Sequence, residues 1–282
     1  KSTDGGQTWN TTGLNFLNST SRIVRKIIMN ENNSDELLAI TNTGLYKTID
    51  GANTWIELRK GSYTDIEYKP GDPNTVYMVS TLFLKSTDGG VSFSVISNGT
   101  PGSSNVNRLA IAVTPANADY VYLLGGDANN SGFEGLYRST NSGNTFTTRA
   151  TSPNVMGWAA AGNDTEGQSW YTLSLCASPT NAELVFTGGV NVWASANGGT
   201  TLTCKAHWYG ANGLPFVHAD IHELAYFGNT LYVSSDGGIF KSTNNGSSFT
   251  DLSSGLVISQ FYRLACSQTN TDLILAGAQD NS

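Results

Sequence analysis

The chain has three histidines, His207, His218 and His222, and they fall close together. Two belong to Val217-His218-Ala219-Asp220-Ile221-His222, where polar side chains recur at i, i+2 and i+4. An extended strand puts such a set on one face. Two imidazoles and a carboxylate held together are able to bind a divalent cation or to exchange protons with a bound molecule. Further carboxylates stand in or beside glycine-rich turns: Asp127 after Gly126, Asp236 in Ser235-Asp236-Gly237-Gly238, and Asp280 in Gln279-Asp280-Asn281. Hydrolysis of a glycosidic bond takes two carboxyl groups about 5–9.5 Å apart. Asp220, Asp236 and Asp280 are the candidates for that pair. Trp158, Trp170, Trp208 and Tyr209 offer flat apolar faces able to stack on sugar rings. A plainer role competes with each of these. The His and Asp side chains can form a hydrogen-bonded rim that only stiffens loops, and the rings can simply pack loops together. The rim is the expected role of the histidine–aspartate group. A ligand site involving His218 and His222 comes second, and a metal at His218, Asp220 and His222 comes last. No metal and no cofactor is expected.

The element that positions these residues is a unit that recurs six times. One copy reads Ser86-Thr87-Asp88-Gly89-Gly90-Val91-Ser92-Phe93; the others occupy 2–9, 48–55, 139–146, 195–202 and 242–249. The Asp or Asn side chain is suited to accept bonds from backbone N–H groups of a tight turn. The glycines supply positive φ. The terminal ring is suited to pack between sheets, which makes Trp9, Trp55, Phe93, Phe146 and Phe249 expected core residues. A carboxylate repeated in every unit could suggest a metal or a catalytic acid. Three copies carry neutral Asn141, Asn197 and Asn244 instead, so the role is structural. Each box is preceded by a short strand, such as 135–138 or 238–241, and an apolar strand before that, such as 120–124 or 231–234. Polar turns such as Pro70-Gly71-Asp72-Pro73-Asn74 join the latter to a first strand. Each unit therefore reads first strand, turn, second strand, hairpin, third strand, box, fourth strand. A period of roughly 40–55 residues with four short strands per unit predicts an all-β propeller of about six blades.

The boxes resemble Asp-boxes, also called BNR repeats, and the resemblance spans 1–282 as a single propeller domain or an excerpt of one. Asp-boxes occur in sialidases, xyloglucan-specific endoglucanases, sortilin-type receptors and secreted bacterial propellers, so the likeness implies a fold rather than an activity. It implies boxes on one face. The second–third hairpins and the loops between blades lie on the other, around the mouth of a central channel where the enzymes carry their ligands. The long loops 95–107, 149–169 and 204–220 belong to that mouth. Val217-His218-Ala219-Asp220-Ile221-His222, Ser235-Asp236-Gly237-Gly238-Ile239-Phe240-Lys241-Ser242 and Gln260-Phe261-Tyr262-Arg263 resemble secreted bacterial proteins of glycoside-hydrolase-like or sortilin-like type. Arg25, Arg108 and Arg263 fall near the starts of first strands. Arg108 and Arg263 are candidate ligand residues, with pairing to rim aspartates as the plainer expectation. The Arg-Ile-Pro motif of sialidases is absent and no Tyr/Glu pair stands out, which sets that branch aside.

Composition narrows the class. Charged residues make up 13%, the net charge is −7 and the isoelectric point is about 4.9. That balance disfavours nucleic acid, and no apolar run approaches the roughly 20 residues of a membrane span. The resemblance to Asp-box proteins, together with a surface of Ser, Thr, Asn and Gly, implies an extracellular or cell-surface protein, and the expected partner is an extracellular protein or carbohydrate. Three cysteines, Cys176, Cys204 and Cys266, fall in strands of different units, beyond disulfide reach, and are expected as buried thiols. Sequons begin at Asn10, Asn18, Asn32, Asn98, Asn129, Asn163 and Asn245 and are mostly chance. A start inside a box points to an excerpt of a longer secreted chain with further domains. The other reading closes the ring by pairing 261–280 with strands at the first box. The function expected is a non-catalytic recognition or structural module; the alternative is a glycoside hydrolase acting on extracellular polysaccharide.

Overall fold

The computed structural model describes residues 1–14, 22–256, 261–266 and 274–278, the last two stretches by backbone alone. Five antiparallel four-stranded sheets follow one another along the chain. The first holds β1 (Val24–Asn30), β2 (Asn33–Thr41), β3 (Gly44–Thr48) and β4 (Ile56–Lys60). The second holds β5 (Asp65–Lys69), β6 (Asp72–Val79), β7 (Phe83–Ser86) and β8 (Ser94–Val95). The third holds β9 (Val106–Val113), β10 (Val121–Asp127), β11 (Phe133–Ser139) and β12 (Thr147–Ala150). The fourth holds β13 (Ser174–Ala177), β14 (Val185–Gly188), β15 (Val192–Ser195) and β16 (Thr203–Ala206). The fifth holds β17 (Ile221–Phe227), β18 (Thr230–Ser235), β19 (Gly238–Ser242) and β20 (Thr250–Asp251). In every sheet strand order follows chain order, so each is a plain meander. First strands of successive sheets lie side by side, β1 against β5, β5 against β9, β9 against β13, and β13 against β17.

This is a β-propeller of four-stranded blades, and the described residues form five of them rather than about six. The box at 2–9 has no strand on either side among the described residues, and β21 (Phe261–Cys266) with β22 (Ile274–Ala278) forms a two-stranded sheet. A box marks only a turn.

Burial runs from the axis outward. Val76, Tyr77, Met78 and Val79 of β6 are all buried, because adjacent blades cover both faces of a second strand. The outermost strand β4 is mostly exposed. Four apolar clusters fill the gaps between consecutive blades. One joins Leu38, Ile40 and Leu45 to Ile66, Val76 and Met78; the next joins Tyr77 and Phe83 to Leu109, Ile111 and Phe146. Trp193 anchors the third and Phe186 the fourth.

The boxes fold as self-contained clasps between third and fourth strands. In 86–93, Ser86 Oγ donates to Asp88 Oδ1 at 2.7 Å and accepts from Gly90 N at 2.9 Å. Asp88 in turn accepts from Ser92 N at 2.9 Å and Ser92 Oγ at 2.5 Å. Asn141 Oδ1 likewise accepts from Ser139 Oγ and Thr145 N, while its Nδ2 donates to Thr145 Oγ1. Of the expected box aromatics, Phe146 is buried, and Phe93 and Phe249 pack partly buried against their clusters. Trp55 is half-buried. Trp9 departs from expectation: it is 74% exposed. Cys176 and Cys204 are free thiols, and burial raises the pKa of both. The Cys266 side chain lies outside the described residues.

Candidate binding site at the channel mouth

The first strands line a channel of about 660 Å³. Its wall includes Lys26, Asp65, Arg108, Ser174 and Glu223, each at the mouth end of its own blade's first strand. Lys26 reaches across to the second blade, with Nζ at 2.7 Å from Asp65 Oδ1 and 2.6 Å from Glu67 Oε1. The two carboxylates hold its ammonium charged and raise its pKa, against the opposing cost of burial. Asp65 Oδ2 also accepts from Ile111 N of the third blade at 2.8 Å, which ties three blades together at the rim. Burial raises the pKa of Glu67 and of Glu223, although both keep part of their side chain open to the channel.

Over this ring lies a strap from the loop between the third and fourth blades. Arg108 Nη1 donates to the Tyr171 carbonyl at 3.2 Å. The Tyr171 hydroxyl donates to Asp236 Oδ2 at 3.0 Å, in the second–third hairpin of the fifth blade. Its ring meets His222 edge-on at 4.9 Å, and His222 Nε2 lies 2.6 Å from Asp236 Oδ1. Trp170, beside Tyr171, is 68% exposed. Gln168 Nε2 donates to Asp220 Oδ1, which fastens the strap's other end to the loop before β17.

The expected one-face triad is not formed. β17 begins at Ile221, and Asp220 adopts a left-handed φ of 67°, so the chain turns between His218 and His222. His218 Nδ1 donates to the Ala219 carbonyl at 3.2 Å, and its ring lies where a Cβ on Gly237 would sit. His222 turns to Asp236 and Asp220 to Gln168. Among the described residues no three His, Cys, Asp or Glu side chains are placed to hold a metal ion. His207 is buried and structural, its Nε2 donating to the Trp158 carbonyl at 3.0 Å. Asp127 closes its own turn by accepting from Asn129 N and Asn130 N. Arg108 does not pair with a rim aspartate; it takes a backbone carbonyl instead. Asp280 and the Arg263 side chain lie outside the described residues.

A second group of rings stands over the fourth blade. Trp208 and Tyr209 meet edge-on at 4.6 Å, and Tyr209 is 62% exposed. Buried Asn191 joins them to Trp158, donating to the Trp158 carbonyl at 2.9 Å and accepting from Trp208 N at 3.1 Å. Sequence reasoning missed Asn191, Tyr171, Gln168 and, apart from Arg108, the charged ring. The ring had a partial signal: aligning the first strands unit by unit places Lys26, Asp65, Ser174 and Glu223 at one position, with Ala110 at that place in the third blade and Arg108 two residues nearer the mouth. Asn191 and Gln168 had none, since nothing local distinguishes them from other polar loop residues.

No protein-family model matches the chain, and no curated protein matches it. Solved structures do. The GH74 xyloglucanase from Xanthomonas campestris matches with a TM-score of 0.63 at 15% identity, over 90% of this chain and 42% of that one. A GH74 enzyme of Niastella koreensis matches with a TM-score of 0.58 at 20% identity, over 91% and 41%. PorZ, a surface component of the type-IX secretion system of Porphyromonas gingivalis, matches with a TM-score of 0.51 at 14% identity, over 87% and 28%. At these identities the likeness is one of fold, and this chain spans less than half the length of each.

Proposed function

We propose that this chain is a non-catalytic recognition module of a larger secreted or cell-surface protein, and that its mouth binds an extracellular carbohydrate chain. The observation that carries this reading is two exposed aromatic pairs, Trp170–Tyr171, tied to the channel wall through Arg108 and His222, and Trp208–Tyr209 over the fourth blade. Flat rings beside fixed polar groups suit a sugar's apolar face and its hydroxyls. The low charged content and the fold shared with a bacterial surface component support an extracellular place. The two described candidate acids are occupied by neighbours, Asp236 by His222 and Tyr171, Asp220 by Gln168. That arrangement favours binding over turnover.

The alternative, a glycoside hydrolase using Asp220, Asp236 or Asp280, is the reading that a fold shared with GH74 enzymes keeps open. One assay separates the two: incubation with a panel of plant and bacterial polysaccharides, reading both retention and release of reducing ends. Retention without release is expected. Release that disappears in Asp236→Asn or Asp220→Asn, with binding kept, would replace the recognition reading by the hydrolase one.

A further inference from the structure

Three of the five first strands carry one extra residue at the mouth. Val24 pairs with Thr41 and Lys26 with Ile40, which leaves Arg25 outside the β1–β2 ladder. Asn107 is skipped between the Val106–Asp127 and Arg108–Gly126 pairs, and His222 between Ile221–Ser235 and Glu223–Ser234. Bulges of this kind re-aim a side chain and gather beside functional sites. Asn107 is committed to Ser169 and to the Asp127 carbonyl. His222 is committed to Asp236. Arg25 is exposed and lines the channel, and it forms no hydrogen bond or ion pair among the described residues.

Arg108 lines the same channel. Its Nε is buried without a partner, and its Nη1 bonds only to a neutral carbonyl. Two of the three carboxylates in the wall are already held by Lys26. The third, Glu223, makes no ion pair with either arginine, and burial raises its pKa. Burial, and after it the nearby charge of Arg25, lower the pKa of Arg108. Among the described residues, two guanidinium groups therefore face one channel without a carboxylate in hydrogen-bond contact, although the charges of Asp65 and Glu223 act on Arg108 from farther off.

We propose that Arg25 and Arg108 receive an oxyanion, a carboxylate or a sulfate, borne by an acidic polysaccharide whose sugar rings lie on the mouth aromatics. The planar fork of a guanidinium fits either group through paired N–H donors. The proposal rests on the mouth being a carbohydrate site. A chain of net charge −7 has no general attraction for polyanions, so a preference for acidic chains would have to come from these two residues.

The test measures affinity for a neutral β-glucan, polygalacturonate and dextran sulfate at about 0.15 M salt, where long-range charge effects are screened. Wild type is compared with Arg25→Gln, Arg108→Gln and the double variant. At least one acidic chain is expected to bind about tenfold tighter than the neutral one, and in the double variant the ratio of acidic to neutral affinity should fall close to one. Arg25→Gln, at an exposed position, should weaken acidic binding severalfold even if Arg108→Gln folds poorly. Equal affinity for neutral and acidic chains, or acidic binding that survives both substitutions, overturns the proposal and leaves the carbohydrate reading intact. If no polysaccharide binds, the carbohydrate reading fails. Free galacturonate against galactose then decides the oxyanion site alone: selective binding of galacturonate that both substitutions abolish upholds it, and no selectivity removes it.

Discussion

Asp50 and Asp88 each sit at the tip of a box, accepting three or four hydrogen bonds from their own turn. The side-chain bond from Thr54 or Ser92 is the largest cause that lowers each pKa from the usual 3.8 to about 2. The fold thus favours the ionised form. That contribution is complete above about pH 4 and is lost as pH falls through 2. Asn141, Asn197 and Asn244 close the same turn without titrating. A double variant Asp50→Asn, Asp88→Asn is therefore expected to fold normally at neutral pH and to unfold at a lower pH than wild type, as followed by tryptophan fluorescence from pH 5 to 2. An unchanged acid midpoint would show that the clasps do not govern the acid response. The clasp was legible in the sequence because all its bonds are made within eight residues. The partners of His222 and Asp220 were not, because Asp236 and Gln168 stand far along the chain and a left-handed turn at Asp220 separates what strand periodicity would have joined.

Strand order and hairpin positions were legible at the scale of elements, since short apolar strands alternate with Pro/Gly/Asn turns. Blade number was not, because a box specifies its own turn and says nothing about whether strands form around it. The same distinction grades the box aromatics. Phe146 is buried edge-on against Phe83 at 4.8 Å, and Phe146→Ala is expected to cost about 3–5 kcal/mol. Trp9→Ala should change stability by no more than about 0.5 kcal/mol, as for other exposed positions. Denaturant melts of the two variants check both figures. A large loss on removing Trp9 would mean that its box is packed into a blade. Asn191→Ala tests a different kind of element contact. It removes the bonds that hold the Trp158 and Trp208 loops together and leaves Trp208 N without its acceptor. A stability loss of about 1–3 kcal/mol is expected, with weaker binding at the mouth.

At the scale of the whole molecule, blade stacking brings side chains far apart in sequence to one rim. Lys26 bridges the first two blades, Asp65 reaches the third, and the Tyr171 strap joins the third to the fifth. This places the exposed Trp170–Tyr171 pair beside a polar channel, with Trp208–Tyr209 over the fourth blade, and the recognition reading stands on that placement. The most direct measurement is the dissociation constant for the polysaccharides of the panel, compared between wild type and a Trp170→Ala, Trp208→Ala double variant. The account predicts that wild type binds at least one polysaccharide and that the variant, with an unchanged unfolding midpoint, binds it at least about tenfold more weakly. Full affinity retained without the two rings, or no binding to any member of the panel, would contradict it.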